Sequence, residues 1–310
     1  MKRAMTSVAC AWCVGGAALL GLALAPCAAR AQAWLPPKGS FSYTIDYTDV
    51  LNKKHYTNDV CRPVCPDEVD VGHTDNQVLS LSAGYSPTDR ISVNASLPVV
   101  RTRYRGPGLG GHDHEIDDGT WHSTITDLQL TVNYQLVSGA FGLAPYVGAV
   151  IPTHDYTTFG HSAPGRGLNE YWVGAYAAMS LNEWIPRTYV QLRGNYAFVE
   201  EVLDIAHDRI NAVLEIGYFP TPDWNVRVMV SQQWTNGGIN VPVPLDDPRF
   251  PHHDQLAAEE FVAVGGGATW VVNERASVYA FYIQAIEGTN AHKVDHRVST
   301  GVSYGFGGHH

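Results

Sequence analysis

The sequence predicts an all-β protein, a 12-stranded antiparallel transmembrane β-barrel of the outer-membrane type with short periplasmic turns and longer extracellular loops. Three observations predict it: apolar and polar side chains alternate, the alternating segments are long, and short connections alternate with longer ones. Alternation places successive side chains on opposite faces of a strand. A tilted strand needs about 9–11 residues to cross a bilayer, which these segments supply.

The alternation is clearest between residues 123 and 136. One face carries Thr124, Thr126, Leu128, Leu130, Val132, Tyr134 and Leu136, and the other carries Ile125, Asp127, Gln129, Thr131, Asn133 and Gln135. The pattern recurs along the chain, and we predict twelve strands that each have one apolar and one polar face. They span residues 40–50, 76–86, 90–102, 123–137, 142–153, 170–182, 187–200, 208–219, 224–235, 259–272, 275–287 and 294–307.

The connections between the predicted strands are of two kinds. The short ones are 86–89, 138–142, 182–186, 219–223 and 273–274, and the others, mostly long, are 51–75, 103–122, 154–169, 201–207, 236–258 and 288–293. The two kinds alternate, which is typical of an outer-membrane barrel with both termini in the periplasm. A soluble β-sandwich is the alternative, and it would have shorter strands without this order of loops.

Residues 1–33 have the pattern of a cleavable signal peptide. Lys2 and Arg3 precede an apolar run, and Ala31-Gln32-Ala33 matches a signal-peptidase site. Lipidation at Cys27 is the competing interpretation, and the proline before it is a poor fit to a lipidation motif. We predict export to the outer membrane and a mature chain, residues 34–310, that forms a single barrel domain because no linker divides it.

The net charge and the cysteines of the predicted mature chain bear on what it binds and on its redox environment. Loss of residues 1–33 removes three of the 20 basic residues and leaves 17 against 30 acidic ones, a formal net charge of −13. That balance argues against binding to nucleic acid. The two remaining cysteines, Cys61 and Cys65, are expected to form a local disulfide in an oxidising compartment. Zinc or redox chemistry is the alternative, which no second Cys or His pair supports.

An apolar face toward lipid leaves the polar face to line the barrel interior. The candidates for lining the lumen are Asp127, Gln129, Asn133, Arg193, Glu215, Arg227 and Arg297, and we predict that Asp295 lies on the same inner face as Arg297. Two interpretations stay open. These side chains form a salt-bridged network that packs the interior, or they line a pore and tune its selectivity. Twelve strands imply a modest bore.

Histidines and carboxylates occur together in residues 112–118 and 252–254, and His309-His310 ends the chain. Imidazole and carboxylate groups are suitable metal ligands. A flexible loop without a fixed geometry binds a metal weakly, so the alternative is a solvated polar loop. We predict neither a bound metal nor a cofactor.

His161 and Ser162, with His154 and Asn169 nearby, resemble parts of a serine hydrolase. A catalytic base and its nucleophile need mutual hydrogen-bond reach and a third group that orients the base. Adjacent residues in a Gly-Pro-rich loop do not supply that arrangement. We therefore predict that the protein is not an enzyme.

Short motifs follow one another in the middle of the chain. They are Leu97-Pro98, Ile125-Thr126-Asp127-Leu128, Asn133-Tyr134-Gln135-Leu136, Ala144-Pro145-Tyr146-Val147-Gly148, Ile151-Pro152-Thr153-His154, Arg166-Gly167-Leu168-Asn169 and Trp172-Val173-Gly174-Ala175-Tyr176. In this order they resemble the MetA-pathway phenol-degradation family of outer-membrane proteins. The resemblance implies an outer-membrane channel associated with uptake of aromatic or other small hydrophobic compounds.

We therefore expect a barrel in the outer membrane that carries small molecules, aromatic or hydrophobic ones among them. The expected partners are outer-membrane lipid, the barrel assembly machinery during insertion, and an unidentified solute. A non-conducting structural or binding barrel is one alternative. A lipid hydrolase that uses His161 and Ser162 is another.

Overall fold

Twelve antiparallel strands close into a single barrel. The computed structural model describes residues 32–58, 68–70, 72–106, 116–241, 243–244 and 246–307. Each strand pairs with the next one along the chain, and the last pairs with the first from Phe41↔Phe306 to His55↔His292. The fold class and the strand number predicted from the alternation are confirmed.

The strands are long enough to cross a bilayer at a tilt, because the unbroken ones have 11 to 16 residues. They are β1 (Phe41–Tyr56), β2 (His73–Thr88), β3 (Ile91–Arg105), β4 (His122–Ile125 and Asp127–Tyr134), β5 (Phe141–Pro152), β6 (Glu170–Ser180), β7 (Thr188–Val199), β8 (His207–Thr221), β9 (Trp224–Gly237), β10 (Glu260–Val271), β11 (Ala276–Thr289) and β12 (His292–Phe306). A two-residue strand, Glu68–Val69, pairs with the end of β1.

The barrel has two distinct ends. The start of β1, the end of β12 and the turns 89–90, 135–140, 181–187, 222–223 and 272–275 lie at one end, which we call the turn end. At the other end, the loop end, lie the described residues of the connections 57–72, 106–121, 153–169, 200–206, 238–259 and 290–291. Connection 238–259 contains the 3₁₀ turn Phe250–His252 and the short helix His253–Leu256. No helix in the described part of the chain has the length and apolar character needed to span a membrane.

The outer face of the barrel is apolar. Val228 is 58% exposed on it, and Ile45 and Leu81 are each 49% exposed. Soluble proteins rarely expose contiguous apolar patches of more than a few hundred Å². Aromatic side chains pair across strands near the turn end, as Trp224 and Trp270 do with ring centroids 6.1 Å apart. An apolar band with aromatic rims is typical of a barrel surrounded by lipid.

Strands β1 and β2 are longer than predicted. They continue to Tyr56 and back to His73 because their polar ends pair with each other, for example Asn52 with Thr74. Polar residues on both faces of a strand produce no alternation of apolar and polar side chains, so the predicted strands stopped short of these ends.

The face assignment in β4 is corrected at one point. Ile125 pairs with Val99 while Gln129 pairs with Ser96, so β4 holds one extra residue between them, a β-bulge. Thr126 and Asp127 are therefore both buried, and Ile125 is 43% exposed on the outer face. The prediction that Ile125 shares a face with Asp127, and that Thr124 and Thr126 share one with Leu128, is wrong.

Several predictions lie outside the described residues. They are the signal peptide over residues 1–31, the disulfide between Cys61 and Cys65, and the histidines within 112–115 and 309–310. These stay predictions.

Candidate functional site: the barrel interior

The seven side chains predicted to line the lumen all lie on the inner side of the wall. None is more than 8% exposed; they are Asp127, Gln129, Asn133, Arg193, Glu215, Arg227 and Arg297. Asp295 lies elsewhere. Leu51 pairs with His296 and Asn52 with Val294, so Asp295 is the extra residue of a bulge, and its carboxylate accepts a hydrogen bond from Lys53 N at 2.8 Å. The prediction for Asp295 is wrong because parity along a strand does not reveal a bulge.

Arg227 and Glu215 form a hydrogen-bonded network on the wall formed by β7, β8, β9 and β10. Arg227 Nη1 lies 3.5 Å from Glu215 Oε2, and Tyr189 donates its hydroxyl hydrogen to Glu215 Oε1 at 2.6 Å. Arg227 Nη2 also donates to Thr269 Oγ1 at 3.1 Å. The Tyr189 ring lies against Gly217, where an added Cβ would come within 2.2 Å of the ring. The glycine thus allows the tyrosine to reach the carboxylate.

Two further ion pairs lie nearer the loop end and were not predicted. Arg209 pairs with Glu170, and Arg166 pairs with Glu259, with none of the four side chains more than 11% exposed. Arg209 has the same parity as Glu215 on β8, so the alternation contained a signal for it. Arg166 lies in a connection, where alternation assigns no face. Glu259 is the first residue of the predicted strand 259–272, and the strand itself begins one residue later, at Glu260. Loss of one partner from such a pair leaves a buried charge uncompensated.

Connection 153–169 enters the barrel instead of standing above it. Residues 160–166 are all buried. Tyr156 donates its hydroxyl hydrogen to Asp127 Oδ1 at 2.5 Å and accepts one from Gly167 N at 2.8 Å. Gln255 of connection 238–259 donates to the Arg166 carbonyl oxygen at 2.7 Å. The two connections together close the loop end.

The same connection carries the residues considered for a hydrolase. Ser162 Oγ donates to Ile116 O at 2.9 Å and to Asp117 Oδ1 at 2.7 Å. His161 Nδ1 lies 3.1 Å from the other oxygen of Asp117. Both side chains thus bind a common carboxylate, and the serine hydroxyl is not directed to an imidazole. Asn169 binds Glu200 at 2.8 Å and stands apart from them.

Imidazoles surround a buried carboxylate at the loop end. His253 Nε2 and His292 Nε2 lie 3.4 and 3.5 Å from Asp254 Oδ1, and the rings of His55 and His292 have centroids 3.8 Å apart. Burial alone would raise the pKa of the Asp254 carboxyl, but the His253 and His292 imidazoles hold that pKa well below its ordinary value. Within the described part of the chain, no three His, Cys, Asp or Glu side chains are arranged to hold a metal ion.

The turn end is closed by the segment before β1. Ala33 N donates to Gln191 Oε1 at 3.1 Å, and Gln135 Nε2 donates to Ala33 O at 2.6 Å. Leu35 N donates to Gln135 Oε1 at 2.6 Å, and Trp34 Nε1 donates to Gly139 O at 2.9 Å. This segment packs on aromatic side chains of the wall, among them Tyr146, Tyr176 and Tyr189.

A cavity lies between the two closures. Its lining includes Asn94, Gln129, Tyr146, Trp172, Arg193 and Asn211. The volume open to the centres of water molecules is about 40 Å³. A single water requires about 10–15 Å³ of such volume. The cavity therefore has room for a few waters. Among the described residues, the side-chain amide oxygens of Asn94, Gln129 and Asn211 have no protein hydrogen-bond partner.

Solved structures share this architecture. No family model and no curated protein matches the chain. A COG4313 outer membrane channel from Pseudomonas putida F1 matches with a TM-score of 0.69 and 17% identity, over 89% of this chain and 99% of that chain. The NanC porin matches with a TM-score of 0.49 and 8% identity, over 84% and 98%. The β-domain of the Bordetella autotransporter BrkA matches with 0.48 and 11%, over 87% and 100%. The first likeness shows that the fold is that of an outer-membrane barrel.

Proposed function

We propose that the protein is an outer-membrane channel for small molecules and that the conformation described here is its closed state. The observation that carries the proposal is the arrangement of the interior: a cavity lined by polar side chains lies between two closures made by the chain's own segments. A barrel interior that is polar, with closures that are loops and not wall residues, is suited to gated passage.

The outer membrane is the location that this proposal assigns. A closed barrel satisfies its backbone hydrogen bonds within the wall, which the hydrocarbon core of a bilayer requires. The apolar outer face matches the same environment. The Pseudomonas barrel of this fold is described as an outer membrane channel, and we propose the same activity for this chain.

The solutes we propose are small compounds that combine an aromatic ring with hydrogen-bonding groups. Tyr146, Trp172 and Tyr176 give the cavity aromatic surface against which a ring can stack. The amide oxygens of Asn94 and Asn211 can accept hydrogen bonds from a hydroxyl group. The resemblance of residues 91–182 to the phenol-degradation family supports the same class.

Solute flux across liposomes tests the channel. Purified protein is compared with a variant in which residues 157–165 are replaced by a Gly-Ser linker of equal length, which should remove part of the loop-end closure. We expect catechol flux to rise in the variant, while stachyose, a large sugar, stays excluded by the modest bore. A variant in which the outer connection 201–205 is replaced by a Gly-Ser linker of its own length is the matched control and should behave as the natural chain. Absence of catechol flux from every folded protein would refute the proposal.

Closure at both ends favours one second candidate, a barrel that binds a solute without conducting it. The interior of such a barrel would have to open at one end of the barrel and stay closed at the other. Calorimetric binding of catechol together with absence of flux in both the natural chain and the loop variant would support this candidate over the channel.

A further inference from the structure

The outer face of β3 changes character along its length. From the turn end toward the loop end it carries Ile91, Val93, Ala95, Leu97 and Val99, and then Arg101, Arg103 and Arg105. Intervening residues such as Val100, Thr102 and Tyr104 are buried on the inner side. One strand thus presents five apolar side chains and then three guanidinium groups to the surroundings of the barrel.

The change occurs where the hydrocarbon layer should end. Nine residues of a strand rise by about 26 Å, or about 20 Å across the membrane at the usual tilt, close to the apolar band of about 25 Å in such barrels. The neighbouring strands change at the same level. Gln77 and Ser123 pair with Arg101, whereas Leu79 and Ile125 pair with Val99. Arg101 therefore lies at the boundary with the outer-leaflet headgroups.

Neighbouring side chains fix the positions of these arginines, and the described carboxylates neutralise only part of their positive charge. The guanidinium carbons of Arg101 and Arg103 each lie 4.4 Å from the centroid of a Trp121 ring. Asp75 Oδ2 forms ion pairs with Arg103 Nη2 at 3.0 Å and with Arg105 Nη2 at 2.5 Å. Arg101 has no carboxylate partner in the part of the chain that the structure describes. Among the described residues, these three positive charges contact a single carboxylate, and we call them the arginine row (Arg101, Arg103 and Arg105).

The row stands out against the other side of the barrel. On β8, β10 and β11 the outward charged side chains at the loop end are acidic: Asp208, Glu260 and Glu287. The chain as a whole carries a formal net charge of −10. A local positive surface on an acidic protein attracts an anionic partner to that sector.

We propose that the arginine row binds the phosphate groups of the outer-leaflet glycolipid, the diphosphorylated lipid A of lipopolysaccharide. Guanidinium groups bind phosphate oxygens through paired hydrogen bonds. The row lies at headgroup depth, and the apolar side chains below it, from Ile91 to Val99, would contact the acyl chains of the same lipid. The inference rests on the proposed location in the outer membrane and concerns a surface separate from the lumen.

Native mass spectrometry of the full-length protein in detergent tests the proposal. Diphosphoryl lipid A and its dephosphorylated form are titrated into the natural chain, into R101Q/R105Q, and into R90Q. Arg90 is exposed in the turn at the opposite end of β3, so R90Q is the matched control. We expect R101Q/R105Q to weaken binding of the diphosphoryl form by about tenfold or more, the size of one lost charge-assisted hydrogen bond. R90Q and the dephosphorylated lipid should show no such change.

Each other outcome overturns the proposal. Equal binding by R101Q/R105Q and the natural chain would do so, as would displacement of the lipid by an equal concentration of inorganic phosphate, which indicates a free-anion site. Heat-modifiable migration in electrophoresis verifies that each variant is a folded barrel. The same preparations are used for flux measurements. A barrel that binds diphosphoryl lipid A without conducting refutes the channel alone, and one that conducts without distinguishing the lipids refutes the arginine row alone.

Discussion

The two ends of the barrel interior are closed by different chemistry. At the loop end, the ion pair Arg166–Glu259 joins the two inserted connections to each other, and Arg209–Glu170 joins the wall strands β8 and β6. At the turn end, neutral amides hold the segment before β1, with Gln135 binding both Ala33 and Leu35. Buried charges respond strongly to the loss of a partner, whereas neutral hydrogen bonds contribute modest and local stability. The comparison therefore predicts a charge-sensitive closure at one end and an insensitive one at the other.

Glu259→Gln should have the largest effect. It leaves the buried Arg166 without its carboxylate, and breaking a buried pair costs about 3–5 kcal/mol. A closure weakened by about 3 kcal/mol shifts the closed-to-open ratio by more than about 100-fold. We expect frequent openings of the E259Q channel in planar bilayers under conditions in which the natural chain stays closed.

The control for this variant comes from the same connection. Asp247→Asn removes a pair with Arg249, whose side chain is 45% exposed, and should leave the openings unchanged. Replacing both Arg166 and Glu259 by methionine removes the uncompensated charge and should restore closure. If E259Q stays as closed as D247N, the buried pair does not hold the loop end shut.

Gln135→Ala should weaken the turn end by a smaller amount. The variant loses the bond from the Gln135 amide to Ala33 O and the bond from Leu35 N, both 2.6 Å long, and also the bond to Val137 O at 2.7 Å within the turn. The two bonds to the segment before β1 contribute about 1–3 kcal/mol. We expect faster proteolysis next to Trp34 by the same factor at low and at high salt. Gln77→Ala, on the outer face of β2, is the control, and a salt-dependent change in Q135A would contradict the division between the two ends.

Asp254→Asn tests the loop end through its pH dependence. The folded-state pKa of Asp254 lies below its ordinary value, so the carboxylate stabilises the closed form above about pH 4 and the contribution is lost as the pH falls below that value. The natural chain should therefore exceed D254N in unfolding free energy at about pH 5. The difference should shrink as the pH falls further. A difference that grows below about pH 5 would reverse the assigned sign.

The barrel could be predicted from the sequence because its causes are local. Alternation and connection length depend on neighbouring residues, and they gave the twelve strands and the inner position of Arg193, Glu215 and Arg227. The errors at Ile125 and Asp295 come from bulges, which shift parity by one residue and leave no mark in composition.

The closures could not be predicted because they depend on distant partners. Arg166 and Glu259 are 93 residues apart, and Ala33 and Gln191 are 158 apart. The Gly-Pro-rich segment 160–167 suggests an exposed loop, yet residues 160–166 are buried. The side chains of Thr74, Asp117 and Gln255, from three other elements, bind the backbone of this segment. The predicted cleavage after Ala33 would remove two of the turn-end bonds, and the intact mass of the mature chain would show whether Ala33 is retained.

Asp118→Asn should have the smallest effect on channel opening. It tests whether a charged pair must be buried in order to hold the loop end closed. The His122 side chain and then the Thr120 backbone and hydroxyl bind Asp118 and lower its pKa to about 2. Both side chains of the pair are about one-third exposed or more, at 48% and 34%, so solvent and salt screen the interaction. We expect openings and unfolding midpoint to equal those of the natural chain. Openings of D118N as frequent as those of E259Q would mean that net charge near the mouth, and not a buried partner, keeps this end closed.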